Sequence, residues 1–181
     1  MLIVSSGVSA LSEEDLIREA VLLAAKLMAI SAKTAPKARG VDNVLTRIVY
    51  DREELEALAS KMEELASKYS DFFIRDARNV RDSTAVLLIG CKFVDIGFNK
   101  LIEELGVTEN FILNLINLGI AIGSAVKTAS MLNVDNRVMF TVGVAAKELG
   151  LLKADVVIGI PLSATSKNIF FDRVWAPIVQ K

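Results

Sequence analysis

Histidine is absent from the 181 residues, and cysteine occurs once, as Cys91. Without histidine the chain has no imidazole general base, no imidazole zinc ligand and no ordinary charge switch near neutral pH. A single thiol excludes an intrachain disulfide and any cluster ligated only by cysteines of this chain. Neither sign of charge is in excess: 21 Lys plus Arg against 22 Asp plus Glu leave −1. That balance gives no global electrostatic case for nucleic acid or an anionic membrane. Long hydrophobic runs are also missing. The longest uncharged stretch, Asn110 to Val126, is broken by Asn114, Asn117, Gly119, Gly123 and Ser124. It falls short of the roughly 20 apolar residues of a membrane span and reads as a buried helix. The first residues carry no basic n-region, so no signal peptide is expected and the cytoplasm is the natural compartment.

What remains is a chain with 52% hydrophobic and 24% charged residues, which excludes a disordered protein. A single globular domain over residues 1–181 is the default at this length. Ser12-Glu13-Glu14-Asp15 resembles a capping box opening a long helix. Its apolar stripe, Leu16, Ile17, Ala20, Leu23, Ala24, Leu27 and Met28, is widened by Leu22 and Ala25, which predicts burial on most sides. Pro36 ends it near Thr34. Val44 to Tyr50 reads as a strand. Asp51 then opens a helix whose buried face is Leu55, Leu58, Met62, Leu65 and Tyr69. Phe72 to Arg81 is ambiguous, with a short helix as one reading, and Ala85 to Gly90 is a buried central strand. Further along, the pattern predicts helices over Phe98–Leu105, Glu109–Leu132 and Val144–Leu149, and strands over Arg137–Thr141 and Asp155–Ile160. The tail from Leu162 reads as irregular, with Trp175 as an anchor. Interleaved helices and short apolar strands give the fold class: α/β (α+β), one mixed sheet covered by helices on both faces.

Two short stretches recur. Lys33-Thr34-Ala35 followed by Val41-Asp42-Asn43 is echoed by Lys127-Thr128-Ala129 followed by Val134-Asp135-Asn136. Asp and Asn are favoured in any helix-to-strand turn. The other reading is two equivalent turns around a pseudo-symmetric core.

Two loops could hold a ligand. In the first, Lys33, Thr34, Lys37, Arg39 and Asn43 put three cations within seven residues beside hydroxyl and amide groups, suited to a phosphate or carboxylate. A basic turn favouring the preceding helix's C-terminus fits the same residues. In the second, Ser163, Thr165, Ser166, Lys167 and Asn168 follow a buried strand, where ligands commonly bind in α/β sheets; a polar surface loop is the alternative. Gly119 and Gly123 mark a close approach to the second long helix, by a packed helix or a flat ligand. Cys91 reads as a structural thiol, since no histidine can activate it. No catalytic residue and no metal ligand is identifiable.

Three segments carry a resemblance: residues 31–43 (Ser-Ala-Lys-Thr-Ala-Pro-Lys-Ala-Arg-Gly-Val-Asp-Asn), residues 118–139, and residues 154–168 (Ala-Asp-Val-Val-Ile-Gly-Ile-Pro-Leu-Ser-Ala-Thr-Ser-Lys-Asn). They resemble the uncharacterised prokaryotic ferredoxin-domain-containing proteins, a family of unknown function. That family's cluster cysteines are replaced here, with Phe93, Ile96 and Leu101 where thiolates would stand, so no iron–sulfur cluster is expected. The order of elements, with its Ala35-Pro36 turn and Gly159-Ile160-Pro161, is more weakly similar to flavin-dependent nitroreductases. That resemblance implies a homodimer, FMN as cofactor, the basic loop near the flavin phosphate and a site between two subunits. The expectation is therefore a cytoplasmic homodimer with a pocket for an anionic small molecule, a flavin or nucleotide, and an oxidoreductase role. A non-enzymatic, partner-binding paralogue that lost the redox site is the competing one.

Overall fold

A computed structural model of the protein describes residues 11–171; the proposed Trp175 anchor lies outside them. Helix α1 spans Glu13–Thr34. Ser12 Oγ accepts from Asp15 N at 3.1 Å and donates to the Asp15 carboxylate at 2.6 Å, a capping box closed by Asp. Strand β1 (Val44–Val49) leads to α2 (Arg52–Ala66), whose first turn is capped by the Asp51 carboxylate accepting from Glu53 N and Glu54 N. Phe72–Arg81 is helical (α3), and every residue of β2 (Ala85–Cys91) is buried. A hairpin, β3 (Leu101–Ile102) and β4 (Val107–Thr108), precedes α4 (Glu109–Met131). Strand β5 (Asp135–Asn136), α5 (Phe140–Glu148) and β6 (Val156–Ser163) complete the described fold.

The main sheet has the order β1-β2-β6-β5, and all its neighbours are antiparallel. Successive β2 residues feed opposite cores, as the period of a strand requires. Val86 and Leu88 pack with α2, α3 and α5, whereas Leu87 and Ile89 pack with α1 and α4. Where α5 meets the sheet, a Cβ on Gly143 would lie 1.8 Å from the Val157 carbonyl oxygen, so only glycine permits the contact. The two long helices run antiparallel, with Ser31 Oγ and Thr128 Oγ1 bonded at 2.6 Å where they pass.

The first half runs α1-β1-α2-α3-β2 and, after the β3–β4 hairpin, the second runs α4-β5-α5-β6. Helices α1 and α4 share one face, β1 and β5 form the two edges, and β2 and β6 pair at the centre. This strand order is the one that a pseudo-twofold axis between β2 and β6 would produce. The echoed Lys-Thr-Ala and Val-Asp-Asn stretches fall at equivalent helix-to-strand turns of the two halves, which supports the pseudo-symmetric reading.

Four expectations are corrected. Phe98–Leu105 is not a helix: Asp95 accepts from Gly97 N in a local turn, and Gly106, at φ +64°, closes the β3–β4 hairpin. Apolar spacing suggested a helix, but Phe98, Leu101 and Leu105 have no core to face and are exposed. Arg137–Thr141 is not a strand either. Only Met139 bridges to Gly159 before α5 begins, and the Thr141 hydroxyl donates to buried Asp76 at 2.7 Å from the first turn of that helix. Helix α1 is buried on one side only, leaving Leu16, Leu23, Leu27 and Ile30 exposed. Finally, Cβ atoms at Gly119 and Gly123 would meet nothing within 4 Å among the described residues, so no described backbone of this copy approaches α4 there.

Candidate functional site

The sheet register decides whether the two polar loops meet. Val44, where the first loop ends, pairs with Cys91, which pairs with Val156 at the start of β6. Ser163, where the second loop begins, lies at the other end of β6, about 23 Å away at 3.3 Å per residue. The loops sit at opposite ends of the sheet, so their side chains do not converge within one copy.

The first loop is occupied with holding the fold. Lys33 is ion-paired with Asp42, and this contact holds the Asp42 carboxyl below its usual range. Lys37 Nζ donates to the Lys33 and Ala35 carbonyls at 2.6 and 2.8 Å, the end of α1 where the helix dipole favours a cation. Thr34 Oγ1 bonds back to Ile30 O. Arg39 adopts φ +53° and donates to Ile96 O at 3.0 Å, against Gly97. Asn43 is buried. Its Nδ2 donates to Asn114 Oδ1 at 2.6 Å, Cys91 Sγ at 3.0 Å and Lys92 O at 3.0 Å, while its Oδ1 accepts from Asn117 Nδ2 at 3.1 Å.

Helix α4 supplies the rest of this network. Asn117 Oδ1 accepts from Ala38 N at 2.8 Å, Asn114 exchanges bonds with the Val94 backbone, and Asn110 does so with Ile96 N and Val94 O. Amides at positions 110, 114 and 117 of a nearly chargeless helix lie on one face, and that spacing was the legible signal for them. The segment around Phe93–Ile96, where the resemblance implied cluster cysteines, is thus pinned by amides, with Ile96 fully buried. Phe93 stacks edge-on against Phe111 at 5.1 Å but remains partly exposed, and Leu101 is exposed, so Ile96 alone of the three replacements fills the interior. Cys91 is sealed in this network, and burial pushes its thiol up to about 11.

The second loop borders open space. Ser163 is buried at the strand end; Thr165, Ser166 and Lys167 are exposed, and Thr165 Oγ1 donates to Lys167 O. Asn168 is structural, its Nδ2 bonded to Asp135 at 2.9 Å. Ser163 and Thr165 line a cavity of about 630 Å³ between the N-terminal ends of α1 and α2. Arg18 and Arg52 line it, as do the acidic residues Glu13, Glu14 and Asp82 and the apolar Ile17 and Leu55. Sequence reasoning missed this set, because its members come from four separate segments. The cavity shares Ile17 and Ala164 with a neighbouring groove of about 260 Å³. That groove is almost wholly apolar, lined by Leu16, Ala20, Leu23 and Leu27 of α1 and by Leu132–Val134 beyond α4.

A helix-covered antiparallel sheet of this order, with two long helices on one face, places the protein in the nitroreductase-like fold class. Solved structures agree at the level of fold. A putative nitroreductase in complex with FMN from Desulfovibrio desulfuricans matches with a TM-score of 0.57 and 15% identity, over 93% of this chain and 82% of that one. The NADPH:FMN oxidoreductase of Vibrio harveyi, complexed with NAD+, gives 0.57 and 14%, over 81% and 60%. The hypothetical oxidoreductase YcnD of Bacillus subtilis gives 0.56 and 15%, over 81% and 58%. The chain thus spans about three-fifths of the length of the last two. Residues 109–173 match the model of the family described as uncharacterized protein containing a ferredoxin domain (DUF2148). An uncharacterized protein of Archaeoglobus fulgidus is 46% identical over 182 residues, covering 90% of this chain and 97% of that one. The chain belongs to this ferredoxin-domain-containing family.

Proposed function

We propose that the protein is a cytoplasmic homodimer that binds a flat, ring-bearing ligand of the flavin or nucleotide class. The ring lies in the α1 groove and its polar arm in the adjoining cavity. The observation that carries this reading is an apolar trough next to a polar cavity, the two sharing Ile17 and Ala164 in their lining, in a fold shared with a putative nitroreductase in complex with FMN. Ring ligands favour largely apolar, concave sites with a few polar groups at one end. A flavin there would supply the hydride chemistry of an oxidoreductase, which needs no histidine from the protein.

The dimer follows from the same face. Exposed Leu16, Leu23, Leu27 and Ile30 lie beside exposed Ile116, Ile120 and Met131 of α4, with Gly119 and Gly123 level among them. A contiguous apolar surface of this kind marks an interface. A second copy seated on it would roof the groove and place the ligand between two subunits. Native mass spectrometry of the purified protein tests both parts. The expected result is a dimer that releases a flavin or nucleoside-type molecule on denaturation, or takes one up when it is added. A monomer that binds neither ring system contradicts the proposal.

The non-enzymatic reading rests on a different observation, the first loop's cations and the Phe93–Ile96 segment being tied into internal bonds. It predicts co-purification with a cluster-bearing relative, and a chain that only self-associates counts against it.

A further inference from the structure

FMN is the cofactor that the fold class implies, and the phosphate end of FMN does not fit the residues present. The described lining residues include three acidic residues, Glu13, Glu14 and Asp82, against two arginines, Arg18 and Arg52. Part of the Arg52 guanidinium is already engaged, its Nη1 donating to Arg81 O at 2.6 Å. Helix N-termini normally attract phosphate, but both that border this cavity are answered by their own acids. Glu13, Glu14 and Asp15 fill the first turn of α1, and the Asp51 carboxylate takes the Glu53 and Glu54 N–H groups of α2. The cations of the first loop stand at the far end of the sheet. A phosphate dianion in this cavity would meet like charge on several sides.

The same lining suits a neutral polyol. Carboxylates accept hydrogen bonds from sugar hydroxyls, as the acidic residue on a ribose does in dinucleotide sites, and Ser163 and Thr165 offer hydroxyls that donate or accept. Resting on the ring-binding reading above, we infer that the ligand's polar arm is uncharged: a flat heterocycle carrying a ribose or ribityl chain without phosphate. The groove beside the cavity receives the heterocycle, and Glu14 and Asp82 select against its phosphorylated form.

Paired titrations test this. Riboflavin and FMN are followed by flavin fluorescence quenching, adenosine and AMP by calorimetry, all against the full chain. The unphosphorylated member of the pair that binds should bind at least about tenfold more tightly than its phosphorylated counterpart. In the double variant Glu14→Gln/Asp82→Asn that ratio should shrink towards one, with a melting curve showing that the variant is folded. FMN or AMP binding as tightly as riboflavin or adenosine would overturn the inference while leaving the ring site standing. A ratio unmoved in the folded double variant would overturn the assigned role of the carboxylates. Binding by none of the four at about 1 mM would overturn both this inference and the reading beneath it.

Discussion

Replacing Asn114 with leucine probes the amide network by keeping the branching and heavy-atom count of the side chain while removing its hydrogen-bonding groups. In the native structure Asn114 Oδ1 accepts from Asn43 Nδ2 at 2.6 Å and Val94 N at 3.2 Å, and Nδ2 donates to Val94 O and Asn110 O. After the change, Asn43 keeps Cys91 Sγ and Lys92 O, and Val94 O keeps Asn110. The Val94 N–H keeps no partner among the described residues. An orphaned donor costs about 1–3 kcal/mol and each further lost bond about 1 kcal/mol, so about 2–4 kcal/mol is expected. At this chain length that lowers the melting temperature by roughly 5–15 °C, measured at fixed protein concentration because the melting of the proposed dimer would depend on it. Urea unfolding gives the free energy directly, and a thiol reagent gives an independent reading, because loosening the network should unseal Cys91. A loss below about 0.5 kcal/mol with Cys91 still protected would refute the view that these amides staple the first loop to α4.

Other consequences are as definite. Gly143→Ala should cost about 2 kcal/mol or more in a denaturant melt, because its Cβ would collide with the Val157 carbonyl and move α5 off the sheet; unchanged stability would contradict that packing. Gly123→Leu should leave the fold of one copy intact, since nothing among the described residues lies within 4 Å, yet weaken dimerisation in sedimentation equilibrium. An unaltered dimer would remove that face from the interface. Cys91 ionises less readily when folded, near 11 against an ordinary 9.0, so the unfolded chain loses its proton first. Stability should therefore fall as pH rises from 9 towards 11, by up to roughly 2–3 kcal/mol. The difference between the native protein and Cys91→Ala isolates this slope, and parallel pH profiles would refute it.

Strong local signals made much of the fold legible. The Ser12 and Asp51 caps, the Pro36 stop and the unbroken apolar run at Ala85–Gly90 each determine structure within a few residues. Regions where spacing competes with tertiary contacts were misread. Phe98–Leu105 has helical periodicity but no core to bury it, and Thr141 joins α5 through a bond to Asp76, 65 residues away. The repeated Val-Asp-Asn stretches fall at the two edge strands of the sheet, just before β1 and at β5. The candidate site was half visible. Ser163 and Thr165 border the cavity as the strand-end argument suggested, but Arg18, Arg52 and Asp82 line it from separate elements, and no local pattern links them. Lys33, Lys37 and Arg39 have the composition of an anion site. Their charges instead meet a neighbouring carboxylate, a helix end and the Ile96 carbonyl.

The most direct test of the ligand site is a riboflavin titration of the native chain beside Ala20→Phe, which plugs the groove from an exposed position on α1. The native protein should quench flavin fluorescence to saturation, and the variant should show none while melting at the same temperature. Equal binding by both proteins, or none by the native chain, would contradict the assignment of the groove.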